Sequence, residues 1–162
     1  MRTKLWSLLL TVLILFGMEG ISASRMPSVA ASEKTKHLDF FVQFIGQDTF
    51  LDLGAPGMSQ GDEFILHDLV FTPDGRTQVG YDGGVCVLFD LAVPESNCTV
   101  TYALPNGAIM VQFLNSPPAT KTFAITGGTG IYQHARGQGQ LVESGHETAT
   151  LSFDLINAHN ED

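Results

Sequence analysis

Beyond Lys36 the chain has almost no positive charge. Arg76, Lys121 and Arg136 are the only cations from there to the end, against fifteen Asp and Glu residues. A surface of that sign repels nucleic-acid phosphates and anionic lipid heads, which excludes both as partners. Long hydrophobic runs are also lacking. The one example, Leu5 to Met18, is too short and wrongly flanked for a membrane span. After it no stretch sustains a 3.6-residue apolar period, which excludes a helical bundle. The five histidines, His37, His67, His134, His146 and His159, share no metal-ligand spacing, so no metal is expected. No serine sits in a nucleophile elbow, and no Cys/His pair stands out.

What is present begins with a leader. Arg2 and Lys4 precede the apolar run, and Ser22-Ala23-Ser24 supplies small residues after it. Residues 1–24 therefore read as a secretory signal peptide. Ala30-Ala31-Ser32 is a second candidate cleavage position, and an uncleaved membrane anchor is the alternative. Residues 25–37 read as a flexible lead-in, 38–157 as one domain of ordinary size and 158–162 as a tail. The implied destination is extracellular (periplasmic in a Gram-negative source), with no membrane association once the signal is removed.

Cysteine is scarce: Cys86 and Cys98 are the only two. In an oxidising compartment a bridge is the default, with two free thiols as the alternative. Each lies in a strand-like run, with Pro94-Glu95-Ser96-Asn97 as the turn between them. A disulfide closing so short a loop contributes on the order of 3 kcal/mol. Asn97-Cys98-Thr99 is also a glycosylation sequon, relevant only in a eukaryotic source.

Short β-rich runs punctuated by Gly, Pro, Asn and Asp predict strands near 38–46, 62–71, 78–91, 98–104, 107–114, 122–126, 136–143 and 147–156. Asn106-Gly107 and Thr72-Pro73-Asp74-Gly75 read as turns, and Gly83-Gly84 as a bulge or sharp bend. Eight short antiparallel strands in one small domain make a sandwich or a closed barrel. Gly137 and Gly139, alternating on one face of a strand, permit strong curvature or close backbone approach. They favour the all-β reading of a single eight-stranded antiparallel β-barrel. Ten phenylalanines follow the leader. Some fill a core, but a barrel of this size is also just wide enough to hold one small ligand.

The glycine-rich stretch AITGGTGIYQHARGQGQL, Ala124 to Leu141, raises the question of a phosphate loop. No Lys-Ser/Thr follows its glycines, as a P-loop requires. Gln133 stands where a dinucleotide fingerprint needs glycine, and the following Arg136–Glu143 alternates like a strand rather than opening a helix. These are turn and packing glycines.

The same stretch carries a resemblance. Ile125 to Tyr132 followed by Ala135-Arg136-Gly137 resembles the signature of the allene oxide cyclase and dirigent superfamily. Gly61-Asp62 before an apolar strand, Gly84 to Leu88, and Met110-Val111-Gln112 fall in the matching order, so the likeness spans roughly residues 38–156. It implies an eight-stranded barrel with an apolar cavity and no metal or organic cofactor. Plant allene oxide cyclases fold an unsaturated epoxide and set the stereochemistry of its ring closure. Dirigent proteins steer radical coupling without making the radical. Plant cyclases form trimers, which makes a homo-oligomer a further expectation.

Carried over residue by residue, the likeness is incomplete. Gln43 matches a first-strand glutamate of the plant enzymes and cannot act as a carboxylate base. Asp68 falls at a pocket asparagine, and if inward it is an acid in an apolar shell, suited to acid–base work. Cys86 matches a pocket cysteine but is expected to be bridged. A pocket tyrosine is missing, with Asn115 nearby. The expected site is therefore Asp68 as catalytic residue with Gln43, Tyr102 and Asn115 orienting an apolar or aromatic small molecule. Cofactor-independent cyclisation or isomerisation is the first functional expectation. A non-catalytic dirigent-like binder is the second, and a structural extracellular barrel filled by its own side chains the third.

Overall fold

The computed structural model describes residues 35–45, 49–145 and 147–156. The leader, the lead-in before Thr35 and the tail lie outside those residues. Among them there is no helix; ten strand segments follow one another: β1 (Thr35–Phe44), β2 (Thr49–Leu51), β3 (Glu63–Leu66), β4 (Asp68–Phe71), β5 (Gln78–Asp90), β6 (Glu95–Leu104), β7 (Gly107–Asn115), β8 (Thr120–Gly130), β9 (Arg136–Glu143) and β10 (Thr148–Ile156). All pairings are antiparallel, and β5 pairs with β6 to close the sheet. β3 and β4 both pair with β5 in one register, Leu66 opposite Gly84 and Leu69 opposite Tyr81. They therefore share one position in the ring, and the barrel is eight-stranded, as the sequence predicts. Closure leaves the sheet without a long unpaired edge.

Strict alternation fills the interior. On β6, Ser96, Cys98, Val100, Tyr102 and Leu104 are buried, while Asn97, Thr99 and Thr101 are exposed. Phe153 of β10 sits at the centre, edge-on to Phe40 and Tyr102 and tilted against Phe123. Burying each such side chain stabilises the fold by about 1.5–3 kcal/mol. Gly139 explains the glycine-rich strand. It lies between Phe123 and Phe153 in the ladder, and a Cβ there would strike the Phe123 ring and the Ser152 carbonyl. Leu104, Ile109, Leu155, Tyr132 and Ala135 are buried at the end of the barrel where the Leu104–Gly107 and Gly130–Arg136 turns lie.

Several boundaries differ from expectation. β1 begins at Thr35, where three residues of the expected lead-in pair with Asp154–Ile156. The turn between the cysteines lies at 91–94 rather than at Pro94–Asn97, because the Asp90 carboxylate accepts from the Ala92 amide at 2.8 Å while Ser96 is already paired with Asn115. β8 continues through Gly130, and the turn follows it. Gly83-Gly84 carries no register shift against β6. At Gly84 the Thr99 carbonyl and Val100 come too close for a side chain, so close approach is what requires glycine there. At the next hairpin only Asn106 takes a positive φ, 67°. Pro105 before it cannot, so this corner is not the primed turn that Asn-Gly suggests.

Candidate active site

The other half of the barrel is hollow. A cavity of about 330 Å³ is walled by Val42, Phe44, Leu66, Val100, Phe113 and Leu141, with Asp68, Asp82, Tyr102, Cys86, Asn115, Lys121 and Glu143 as its polar and sulfur groups. That is at the small end of the range for small-molecule sites. A more open hollow of about 470 Å³ adjoins it and shares Asn115, Lys121 and Glu143, which mark the mouth. The Ser116–Ala119 connection and Pro94 of the β5–β6 hairpin also line this outer hollow.

The ladder sets the inner polar groups side by side. Phe44 on β1 faces Asp68 on β4, Asp68 stands next to Asp82 on β5, and Asp82 faces Tyr102 on β6. Four neighbouring strands thus present one row into the cavity. The row lies where the pairing with β5 passes from β3 to β4 and is interrupted. At that break the Asp68 amide donates to Asp82 Oδ1 at 3.0 Å, and His67 Nδ1–H donates to the Asp82 carbonyl at 2.8 Å. Asp68 Oδ1 accepts from the Ile45 amide at 3.2 Å. Asp68 is 8% exposed, Asp82 4% and Tyr102 2%. Burial, and then the charges of Asp82 and Asp68, push the Tyr102 hydroxyl well above its ordinary range. It stays protonated and remains a donor beside two acids.

Lys121 is the one cation among the buried described residues. Its Nζ donates to the carbonyls of Ser116 at 2.6 Å and Pro118 at 2.8 Å, and Glu143 Oε1 lies 4.0 Å away. Cys86 and Cys98 are opposite one another on β5 and β6 and form a disulfide, with Cys86 in the cavity wall. Asp62 holds the loop that carries Met58, a residue of the outer hollow. Asp62 is fully buried; burial raises its pKa, but the amides of Ser59, Leu53 and Gly54 and the Ser59 hydroxyl hold it below the usual carboxylate range.

Of the residues singled out in the sequence, Asp68, Tyr102 and Asn115 meet at this cavity. Gln43 does not. It lies between two cavity-lining residues, Val42 and Phe44, so strand alternation turns it outward, where it is exposed. His134 and Arg136 are exposed at the opposite end of the barrel. Asp82, Lys121 and Glu143 were missed. The signal was parity: Asp82 shares a face with Gly84 and Cys86, Lys121 with Phe123 and Ile125, and Glu143 with Leu141 and Gly139. Among the described residues, no group of three or more His, Cys, Asp or Glu side chains could hold a metal ion.

The closed eight-stranded antiparallel barrel is a fold that solved dirigent proteins and barrel cyclases share. No family model matches the sequence, and no curated protein matches it. Among solved structures, a pyocyanin demethylase is 34% identical, the match covering 72% of this chain and 98% of that one with a TM-score of 0.61. A pterocarpan synthase dirigent protein is 20% identical over 80% of this chain and 98% of its own, TM-score 0.63. An exo-specific intermolecular Diels-Alderase is 9% identical over 76% and 99%, TM-score 0.61. The last two share the fold. The first is close enough to show kinship: the chain belongs to the same family as pyocyanin demethylase.

Proposed function

We propose that the protein is an enzyme acting on a small aromatic molecule held in the barrel, with Asp68 and Asp82 as its acid–base pair. One observation carries this reading: two carboxylates and a phenol stand on adjacent strands in a hollow otherwise walled mainly by Val, Leu and Phe. Adjacent acids in such a setting can divide the work, one giving a proton while the other steadies developing positive charge. Tyr102 orients from the row and Asn115 from the mouth. The hollow itself argues against a barrel filled only by its own side chains. Kinship with pyocyanin demethylase makes a flat, N-methylated aromatic the first substrate class to try. The Cys86–Cys98 bridge and the leader-like residues 1–24 support a site of action outside the cytoplasm.

A second reading is ring closure with stereochemical control, of the allene oxide cyclase kind. It is favoured by the shaped apolar wall of Val42, Leu66, Val100, Phe113 and Leu141, which would fold a flexible chain near its reactive conformer. The test is direct. Purified protein is incubated with pyocyanin, with and without an artificial electron acceptor, and loss of the methyl group is followed by mass spectrometry. Asp68→Asn and Asp82→Asn are expected to lower the rate about 100-fold or more while leaving the circular dichroism spectrum unchanged. Turnover that survives both substitutions rejects the acid–base pair. No turnover of pyocyanin, together with conversion of an unsaturated epoxide, moves the assignment to the second reading.

A further inference from the structure

The acids of the inner row face Lys121, the one buried cation among the described residues, across the bore. Counting round the ring, β4 and β8 are four strands apart in either direction, so Asp68 and Lys121 stand on diametrically opposite walls. Both line the cavity, Asp68 within the inner row and Lys121 where the cavity meets the outer hollow. An ammonium has three N–H donors. Two go to the carbonyls of Ser116 and Pro118. Glu143 Oε1 at 4.0 Å is an ionic neighbour beyond hydrogen-bond reach. The third N–H is left for the space that Lys121, Glu143 and Asn115 share at the mouth. The two carbonyls also fix the ammonium in place, so a ligand meets a donor already held, with little ordering cost.

The geometry points to Lys121 as a specificity residue that recognises an acceptor oxygen on the ligand: a carbonyl, phenolic or carboxylate oxygen. This rests on the reading of the cavity as an aromatic-ligand site and adds the ligand's polarity to it. The molecule spans the bore with an oxygen toward β8 and a hydrogen-bond donor or positive charge toward Asp68 and Asp82. A plain hydrocarbon leaves Lys121 unanswered, and a molecule with its oxygen at the other end gives up the contact with the held ammonium.

The test uses two neutral flat probes that differ by one oxygen, phenazine and 1-hydroxyphenazine, titrated calorimetrically into the full chain. Because neither probe is charged, loss of the lysine charge does not by itself change their ratio. Wild-type protein is expected to bind 1-hydroxyphenazine about tenfold more tightly, as one hydrogen bond to a charged donor allows. Lys121→Met is expected to bring the two affinities together while phenazine affinity stays the same, and Lys121→Arg to keep part of the preference. A wild-type protein that does not distinguish the probes overturns the inference without need of any variant. So does a Lys121→Met protein that keeps the preference, which would leave Lys121 only a tie for the Ser116–Pro118 loop. If wild-type protein binds neither probe, the aromatic reading of the cavity falls and the inference with it.

Discussion

The amide of Asp68 donates to the side chain of Asp82, not to its carbonyl, and the carbonyl is taken by the ring of His67. Two side chains thus replace a rung of the backbone ladder at the one place where the β3–β4 strand is interrupted. The pairs that flank the break, Leu66–Gly84 and Leu69–Tyr81, keep one register, and the shift in this pairing comes further on, between Val70 and Phe71. The exchange fixes the Asp82 carboxylate against the neighbouring strand. A carboxylate held in this way keeps its orientation without help from a ligand, which is the preorganisation that acid–base work requires.

His67 is therefore a positioning residue reached from the exposed face. His67→Ala is expected to remove one hydrogen bond, about 1 kcal/mol, and to speed amide hydrogen exchange in residues 66–70 and 80–84 without affecting the β7–β9 side. It should lower turnover while leaving probe affinity near its original value. Exchange rates unchanged in both segments would mean that the seam is held by the ladder alone.

Gly139 gives a sharp stability test because two aromatic rings flank it. Gly139→Ala puts a methyl group against the Phe123 ring and the Ser152 carbonyl, and overpacking of this kind costs about 1–3 kcal/mol. Gly83→Ala, on β5 with open space at its Cβ, is the control and should be close to neutral. Equal melting temperatures for the two variants would remove the packing explanation for the glycine-rich strand.

The barrel was legible because its signal is local. Turn residues divide the chain, and alternation between them is regular, so strand number and order follow. Boundaries slipped where side chains set them. The Asp90 carboxylate moves the turn between the cysteines, and the His67 and Asp82 contacts divide what reads as one strand. The site was half legible for the same reason. Asp68 stands out as a charge among apolar residues, but Asp82 stands beside Gly83-Gly84, which reads as a bend. Once parity is carried through those glycines, Asp82 turns inward with Cys86. Gln43 was placed by likeness to another family's motif, and the parity of β1, with Val42 and Phe44 facing in, sends it out.

The disulfide joins directly opposed residues of the hairpin that closes the barrel. In the chain-entropy account, a bridge across a 12-residue separation contributes on the order of 3 kcal/mol. The Cys86→Ser, Cys98→Ser double variant should lose about that much in urea unfolding. Because Cys86 is also cavity wall, it should weaken phenazine binding as well. A loss of stability with unchanged binding would confine the bridge to a structural role.

Tyr102 predicts how the fold fails at high pH. Its hydroxyl is pushed well above the ordinary value of 10.0, first by burial and then by the charges of Asp82 and Asp68. The unfolded chain therefore releases this proton at lower pH than the folded one. The stability contributed by keeping the phenol neutral is fully present below pH 10 and is lost as pH rises from there toward the folded value, at up to ~1.4 kcal/mol per pH unit. Denaturant unfolding between pH 9 and 11 should show this slope, and Tyr102→Phe, which has no proton to release, should flatten it. Retention of the slope in Tyr102→Phe would assign the alkaline loss to other groups. In the neutral range the phenol stays protonated, so pH–rate profiles near pH 7 should be the same in shape for wild type and Tyr102→Phe. Any difference between them there should be one of height, set by the lost hydrogen-bond donor beside the acid pair.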